Sequence, residues 1–266
     1  MSVLIVIPAR FASVRYPGKP LVALRGADGT SRSLIERSWR AARDVTGVDA
    51  VVVATDDARI ADHCKGFGAR VVMTSSTCRN GTERCAEAHA TLGGGYDIVV
   101  NLQGDAPLTP HWFVEDLIKG LIADPDAAIA TPVLRCDGAA LNGFLADRKA
   151  GRVGGTTAVF DAQGRGLYFS KEVIPFTDRK YGNSEETPVF HHVGVYAYRP
   201  GALAEYGAWS VGPLESLEGL EQLRFLEQNH VVRCVEVASQ GRQFWELNNP
   251  SDVEILERMM SEMGLN

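Results

Sequence analysis

Short aliphatic runs recur through the first hundred residues at the spacing of strands that alternate with helices. Val3-Leu-Ile-Val-Ile7, residues 50–54, residues 70–73 and residues 97–102 are each long enough for one strand. A run without alternating polar residues is buried on both faces, as in a parallel sheet covered by helices. The segments between them, Ser33–Thr46, 57–67 and 81–92, read as those helices. Ser33 stands three residues before Glu36, the spacing of a capping box, and Asp56-Asp57 offers a cap for the second. The repetition predicts right-handed βαβ units and a mainly parallel sheet. Ligands of such sheets gather at the carboxyl ends of the strands, so the residues just after each run are the candidates for chemistry.

The first such turn, Ala9-Arg10-Phe-Ala-Ser13-Val-Arg15-Tyr-Pro-Gly18-Lys19-Pro, holds three cations and a glycine. Loop N–H groups can bind phosphate oxygens there, while Arg10, Arg15 and Lys19 neutralise charge that would repel an anionic nucleophile. The turn has the spacing of neither GxxxxGK[ST] nor GxGxxG, which argues against a P-loop ATPase and a dinucleotide-binding domain. A net charge of −6 over 266 residues, with no dense basic run, argues against a nucleic-acid surface. No apolar run approaches the ~18 residues that span a bilayer, and the chain begins on a strand rather than a targeting segment, so no membrane partner and a cytoplasmic location are expected. Five cysteines without a CxxC pair suggest reduced thiols rather than disulfides or a zinc site.

Further motifs follow in order: Val51-Val-Val-Ala-Thr55-Asp56-Asp57, Arg79-Asn80-Gly81-Thr82-Glu83-Arg84, Val99-Val-Asn-Leu-Gln103-Gly-Asp105, His192-Val-Gly-Val-Tyr196, and Pro213-Leu-Glu215 with Glu221-Gln222-Leu-Arg224. Together with the first turn they resemble the 3-deoxy-manno-octulosonate cytidylyltransferases, a family of sugar nucleotidyltransferases, over nearly the whole chain. The resemblance implies an α/β fold, Rossmann-like, with a mainly parallel mixed central sheet and a smaller strand-rich subdomain. It implies one domain, with a CTP-binding part at about 1–125, an acceptor-binding and dimerisation part at about 126–212, and C-terminal helices at about 213–266. Strands are read at 128–134, 155–160 and 194–198, a mobile polar loop bordering the acceptor at 176–187, a helix at 214–228, and a last helix running to Met260.

Carried over residue by residue, the family pattern makes Arg10, Arg15, Lys19 and Asp105 catalytic. Ala9, Arg10, Ser13, Lys19, Thr55, Asp56, Asn80, Gly81, Arg84 and Gln103 fall to the nucleotide. Ser170, Lys171, His192, Tyr196, Glu215 and Gln222 fall to the sugar acid, and Asp105 with Asn248 to Mg²⁺. The implied reaction is in-line attack of the acid's anomeric hydroxyl on the α-phosphorus of CTP, releasing pyrophosphate, by a homodimer serving lipopolysaccharide or capsule synthesis. Four positions depart from the pattern: Ala106 replaces a glutamate, Thr157 a lysine, Lys171 an arginine and Asn248 an aspartate. They keep two alternatives open. One is a cytidylyltransferase for another acid, such as an amino-octulosonate, a nonulosonate or a phosphonate; the other is a catalytically silent nucleotide-binding homologue.

Overall fold

In the computed structural model, which describes every residue except Val14 and Phe244, the first aliphatic run extends to β1 (Val3–Ala9), an inner strand. The chain divides into two compact units, Met1–Glu115 with Ser239–Asn266, and Asp116–Ala238. Residues 213–238, grouped by the sequence reading with the C-terminal helices, belong to the second.

In the first unit β1 is followed by a hairpin of β2 (Ala23–Arg25) and β3 (Ser31–Ser33), then α1 (Leu34–Arg43), β4 (Ala50–Thr55), α2 (Ala58–Gly66), β5 (Arg70–Met73), α3 (Gly81–Thr91) and β6 (Ile98–Leu102). The strand order β5-β4-β1-β6 is parallel throughout, with Ile5 opposite Val51 on one side and Val100 on the other. Val3 to Ile7 are at most 1% exposed, which accounts for the unbroken aliphatic run. Each such side chain contributes roughly 1.5–3 kcal/mol by leaving water. The caps expected on α1 and α2 form, and α3 has one too. Ser33 accepts the Glu36 N–H at 3.2 Å, Asp57 that of Arg59 at 2.9 Å and Asn80 that of Glu83 at 2.9 Å. Buried Leu34, Ile35, Ser38, Trp39 and Ala42 lie on one face of α1.

Helix α4 (His111–Ala123) spans the division at Glu115–Asp116. The second unit then holds β7 (Ala127–Asp137), α5 (Gly138–Lys149), β8 (Thr156–Phe160), β9 (Gly166–Ser170), β10 (Glu186–His192), β11 (Val195–Tyr198), α6 (Pro200–Tyr206), α7 (Pro213–Glu218), α8 (Leu223–Glu227) and β12 (Val231–Glu236). The long β7 is its axis. One edge takes β11 and β10 in turn, antiparallel, with Ala197 opposite Ala130 and His192 opposite Val133. The other edge takes β12 in parallel, with Cys234 opposite Thr131. β8 pairs antiparallel with both β10 and β9. The chain then returns to the first unit with α9 (Asp252–Met263).

Several expectations change here. The single helix read at 214–228 is two, because Gly219 adopts φ +63°, a left-handed conformation that closes α7. β9, β10 and β12 are strands that the sequence reading does not mark. In β10, Pro188 and the two histidines interrupt the aliphatic pattern, although buried Thr187 and Val189 alternate with exposed Glu186 and Pro188. The stretch read as a mobile loop carries a turn bonded to the start of α5, where the N–H groups of Gly138 and Ala139 donate to the carbonyls of Glu185 and Asn183 at 2.9 and 3.0 Å.

Candidate active site

In the first unit the turn after β1 is tied to the end of β6. Lys19 Nζ lies 2.5 Å from Asp105 Oδ2 and donates to the Leu247 carbonyl at 3.0 Å. Their side chains are only 16% and 23% exposed, so the contact forms where solvent screens it weakly. The Lys19 side chain is thus largely sheltered. Gly104 permits the close approach: a Cβ there would sit 2.6 Å from the Pro8 carbonyl oxygen. Leu247 is wholly buried in a cluster with Leu24, Leu34, Leu108, Leu256 and Met260, and its N–H donates to the Asp105 carbonyl at 2.9 Å. That anchor fixes the residues flanking it. Arg15 donates to Asn248 Oδ1 at 2.8 Å, and Asn248 Nδ2 to Glu246 Oε2 at 3.3 Å. Arg10 is exposed and Ser13 partly so.

Glu246 is a residue the sequence reading does not single out. Surrounding protein, and then the negative charge of Asp105, push its carboxyl above the ordinary range. Its signal was available, since in extended chain Glu246 and Asn248 lie on the same side of the buried Leu247.

At the end of β4, Thr55 is fully buried and its hydroxyl accepts the Asp57 N–H at 3.2 Å. Arg84 is buried on α3, donates to Thr74 Oγ1 at 2.5 Å, and comes within 3.6 Å of Asp56 Oδ1. That aspartate oxygen is buried without a hydrogen bond. Gly81, next to the capping Asn80, is backed by Asn101 and Gln103, whose amide nitrogens lie 3.0 and 3.4 Å from where a Cβ would stand. Thr55, Asp56, Asn80, Gly81, Arg84 and Gln103 therefore sit at the ends of neighbouring elements in one unit. Ala9 closes β1 beside them, opposite Thr55.

The residues read for the acceptor all lie in the second unit. Tyr196 OH donates to Gln222 Oε1 at 3.0 Å, while Gln222 Nε2 is buried with no partner. His192 Nε2 lies 2.9 Å from Thr131 Oγ1, and the Thr131 hydroxyl has backbone carbonyls at 2.9 Å (Val195) and 3.2 Å (Val193). Which of Nε2 and Oγ1 donates follows from the imidazole tautomer. Burial, reinforced by His191, pushes the His192 pKa down to about 3, and the ring is neutral at pH 7. Ser170 ends β9 and Lys171 follows it, and Glu218, another residue not marked from sequence, contacts both.

Glu215 sits apart from this group in its bonding. Arg224 Nε reaches Glu215 Oε2 at 2.5 Å and Nη2 reaches Oε1 at 2.6 Å, both side chains at most 9% exposed. Tyr206 OH adds a contact at 3.3 Å. Both carboxylate oxygens, expected to face substrate, are engaged by a buried guanidinium. Thr157, at a position where a lysine was expected, is buried, and its Oγ1 donates to the Glu172 carbonyl at 2.6 Å and accepts the Ile174 N–H at 3.1 Å. The short hydroxyl thereby fastens the turn after β9.

Among the described residues no group of three or more His, Cys, Asp or Glu side chains is placed to hold a metal ion. Magnesium needs only one or two protein carboxylates, with phosphate and water completing its shell. Asp105, the Asn248 amide oxygen and Glu246 are hard oxygen donors around Leu247, the ligand type that this ion takes. These residues fit the ion.

The family model described as cytidylyltransferase matches residues 4–236. A 3-deoxy-manno-octulosonate cytidylyltransferase of Maricaulis maris is 43% identical over 264 residues, covering 99% of both chains. One of Chlamydia pneumoniae is 39% identical over 96% of this chain and 92% of its own. Among solved structures, a CMP:2-keto-3-deoxy-manno-octonic acid synthetase complexed with CTP superposes with a TM-score of 0.83 at 31% identity, covering 99% of this chain and 100% of that one.

Proposed function

The chain belongs to the 3-deoxy-manno-octulosonate cytidylyltransferases and is a nucleotidyltransferase, and from that premise we propose that it transfers CMP from CTP to 3-deoxy-manno-octulosonate. The observation that carries this reading is the closure of Lys19 on Asp105 and Leu247, a cation and a carboxylate gathered at the strand end that a triphosphate would reach. Arg10, Arg15 and Lys19 bind the phosphates and take up the charge that grows on the phosphoryl and leaving oxygens. Magnesium, when bound at Asp105 with Asn248 and Glu246, supplies Lewis acidity at the phosphate. Thr55, Asp56, Asn80, Gly81, Arg84 and Gln103, with Ala9 and Ser13, hold the nucleotide.

On the acceptor side Lys171 answers the acid's carboxylate. Neutral His192 and the Tyr196–Gln222 pair answer its hydroxyls, and the unpartnered Gln222 Nε2 is a donor awaiting an acceptor. The anomeric oxygen attacks the α-phosphorus, the P–O bond to the β-phosphate breaks, and pyrophosphate leaves. The CMP-sugar supplies lipopolysaccharide or capsule synthesis. Five free cysteines fit a reducing cytoplasm, and no helix among the described residues is long and apolar enough to cross a membrane. Leu167 at 63% and Phe176 at 88% exposure offer apolar surface in the strand-rich part for a homodimer contact.

Pyrophosphate release from CTP with a panel of acids tests the proposal. 3-Deoxy-manno-octulosonate is expected to give the highest kcat/KM; a higher value with an amino-octulosonate, nonulosonate or phosphonate reassigns the acceptor, and no release with any acid overturns the activity. CTP is expected to exceed UTP by at least about 100-fold in kcat/KM, because a pocket built to bond one base edge leaves buried groups unpaired with the other. Equal rates would remove residues 79–84 from the base. In Mg²⁺ titrations, Asn248→Asp is expected to lower the concentration giving half-maximal activity and Glu246→Gln to raise it, since one adds and the other removes anionic charge. Unchanged midpoints in both would place Leu247's neighbours away from the metal.

A further inference from the structure

Glu218 is the last residue of α7, and its carboxylate receives the turn that follows β9. One oxygen accepts from Ser170 Oγ at 2.6 Å and Tyr168 OH at 3.4 Å, and the other from the Lys171 N–H at 2.9 Å. Ser170 Oγ also accepts the Glu172 N–H at 3.0 Å. A hydroxyl has one proton and two lone pairs. With its proton given to Glu218, Ser170 has none to offer a bound carboxylate, and the cation of Lys171 is what this turn presents to an anion. Thr157 secures the far side of the same turn through Glu172 and Ile174. The Lys171 ammonium lies beside Gly219, where a Cβ would come within 3.1 Å of Nζ.

We infer that Glu218 is a positioning residue for the acidic acceptor: it holds the Ser170 hydroxyl and the Lys171 N–H so that the Lys171 ammonium meets the substrate carboxylate. The inference rests on the acceptor side proposed above. Direct contact between Glu218 and the acid would set two negative charges together, so its effect runs through Lys171.

The test compares Glu218→Ala, Glu218→Gln, Lys171→Ala and the double variant Lys171→Ala/Glu218→Ala in steady-state kinetics with CTP and 3-deoxy-manno-octulosonate, alongside melting temperatures. Glu218→Ala is expected to raise the KM for the acid about tenfold while the KM for CTP moves less than about twofold. Glu218→Gln keeps an acceptor oxygen and falls between. If Glu218→Ala does not fold, Glu218→Gln decides the matter: an acid KM raised at unchanged CTP KM supports the inference and an unchanged acid KM overturns it. Residues acting through one another are not additive, so the double variant should match Lys171→Ala. An acid KM unchanged in Glu218→Ala but raised in Lys171→Ala overturns the inference, as does additivity in the double variant. An acid KM unchanged in Lys171→Ala overturns the acceptor reading itself.

Discussion

Asp105→Asn is expected to lower kcat/KM by about three orders of magnitude and to shift the Mg²⁺ dependence to higher concentration. The substitution keeps the shape and one carbonyl oxygen but removes the charge that faces Lys19 at 2.5 Å. Removing a preorganised electrostatic group at a reacting phosphate costs about 2.7–4 kcal/mol, a factor of 10² to 10³, and weakening the metal adds to it. Lys19→Ala separates the two contributions. It should cost a similar factor in kcat but move the Mg²⁺ midpoint the other way, to lower concentration, because it removes a cation from beside the metal's carboxylate. Both follow from pyrophosphate release at graded Mg²⁺. A loss below about tenfold in either variant, equivalent to ~1.4 kcal/mol, would remove that residue from the reacting centre.

Arg224→Ala is expected to destabilise the fold by about 3–5 kcal/mol, since it strands the Glu215 carboxylate in a buried site. Arg224 is 1% exposed, makes two short contacts to Glu215 and lies over the Tyr206 ring at 4.0 Å. Urea unfolding measures the loss. Glu215→Gln then discriminates between roles: a scaffold residue lowers the unfolding midpoint and leaves the acid KM alone, whereas a substrate ligand raises the KM at nearly unchanged stability. A midpoint for Arg224→Ala within about 1 kcal/mol of the parent would show that the pair is dispensable to the fold.

Much of this protein was decided by local patterns. The aliphatic runs dictate the parallel strands of the first unit because a segment buried on both faces tolerates no polar alternation. Ser33, Asp57 and Asn80 place the helix starts because a side-chain oxygen can satisfy orphan N–H groups only there. The cations after β1 and the aspartate after β6 are legible for the same reason, since each follows a strand whose end is visible.

Other features exist only through contacts distant in sequence. Nothing near Lys19 announces that it closes on Asp105 and the carbonyl of Leu247, 228 residues away. Nor does anything near Glu215 announce that Arg224 closes on its carboxylate. Thr157 departs from the expected lysine, yet its hydroxyl fastens a turn built fifteen residues later. Burial, pairing and charge compensation are properties of neighbours in space. A linear pattern can name the residues able to enter such arrangements, and packing alone selects which of them face one another.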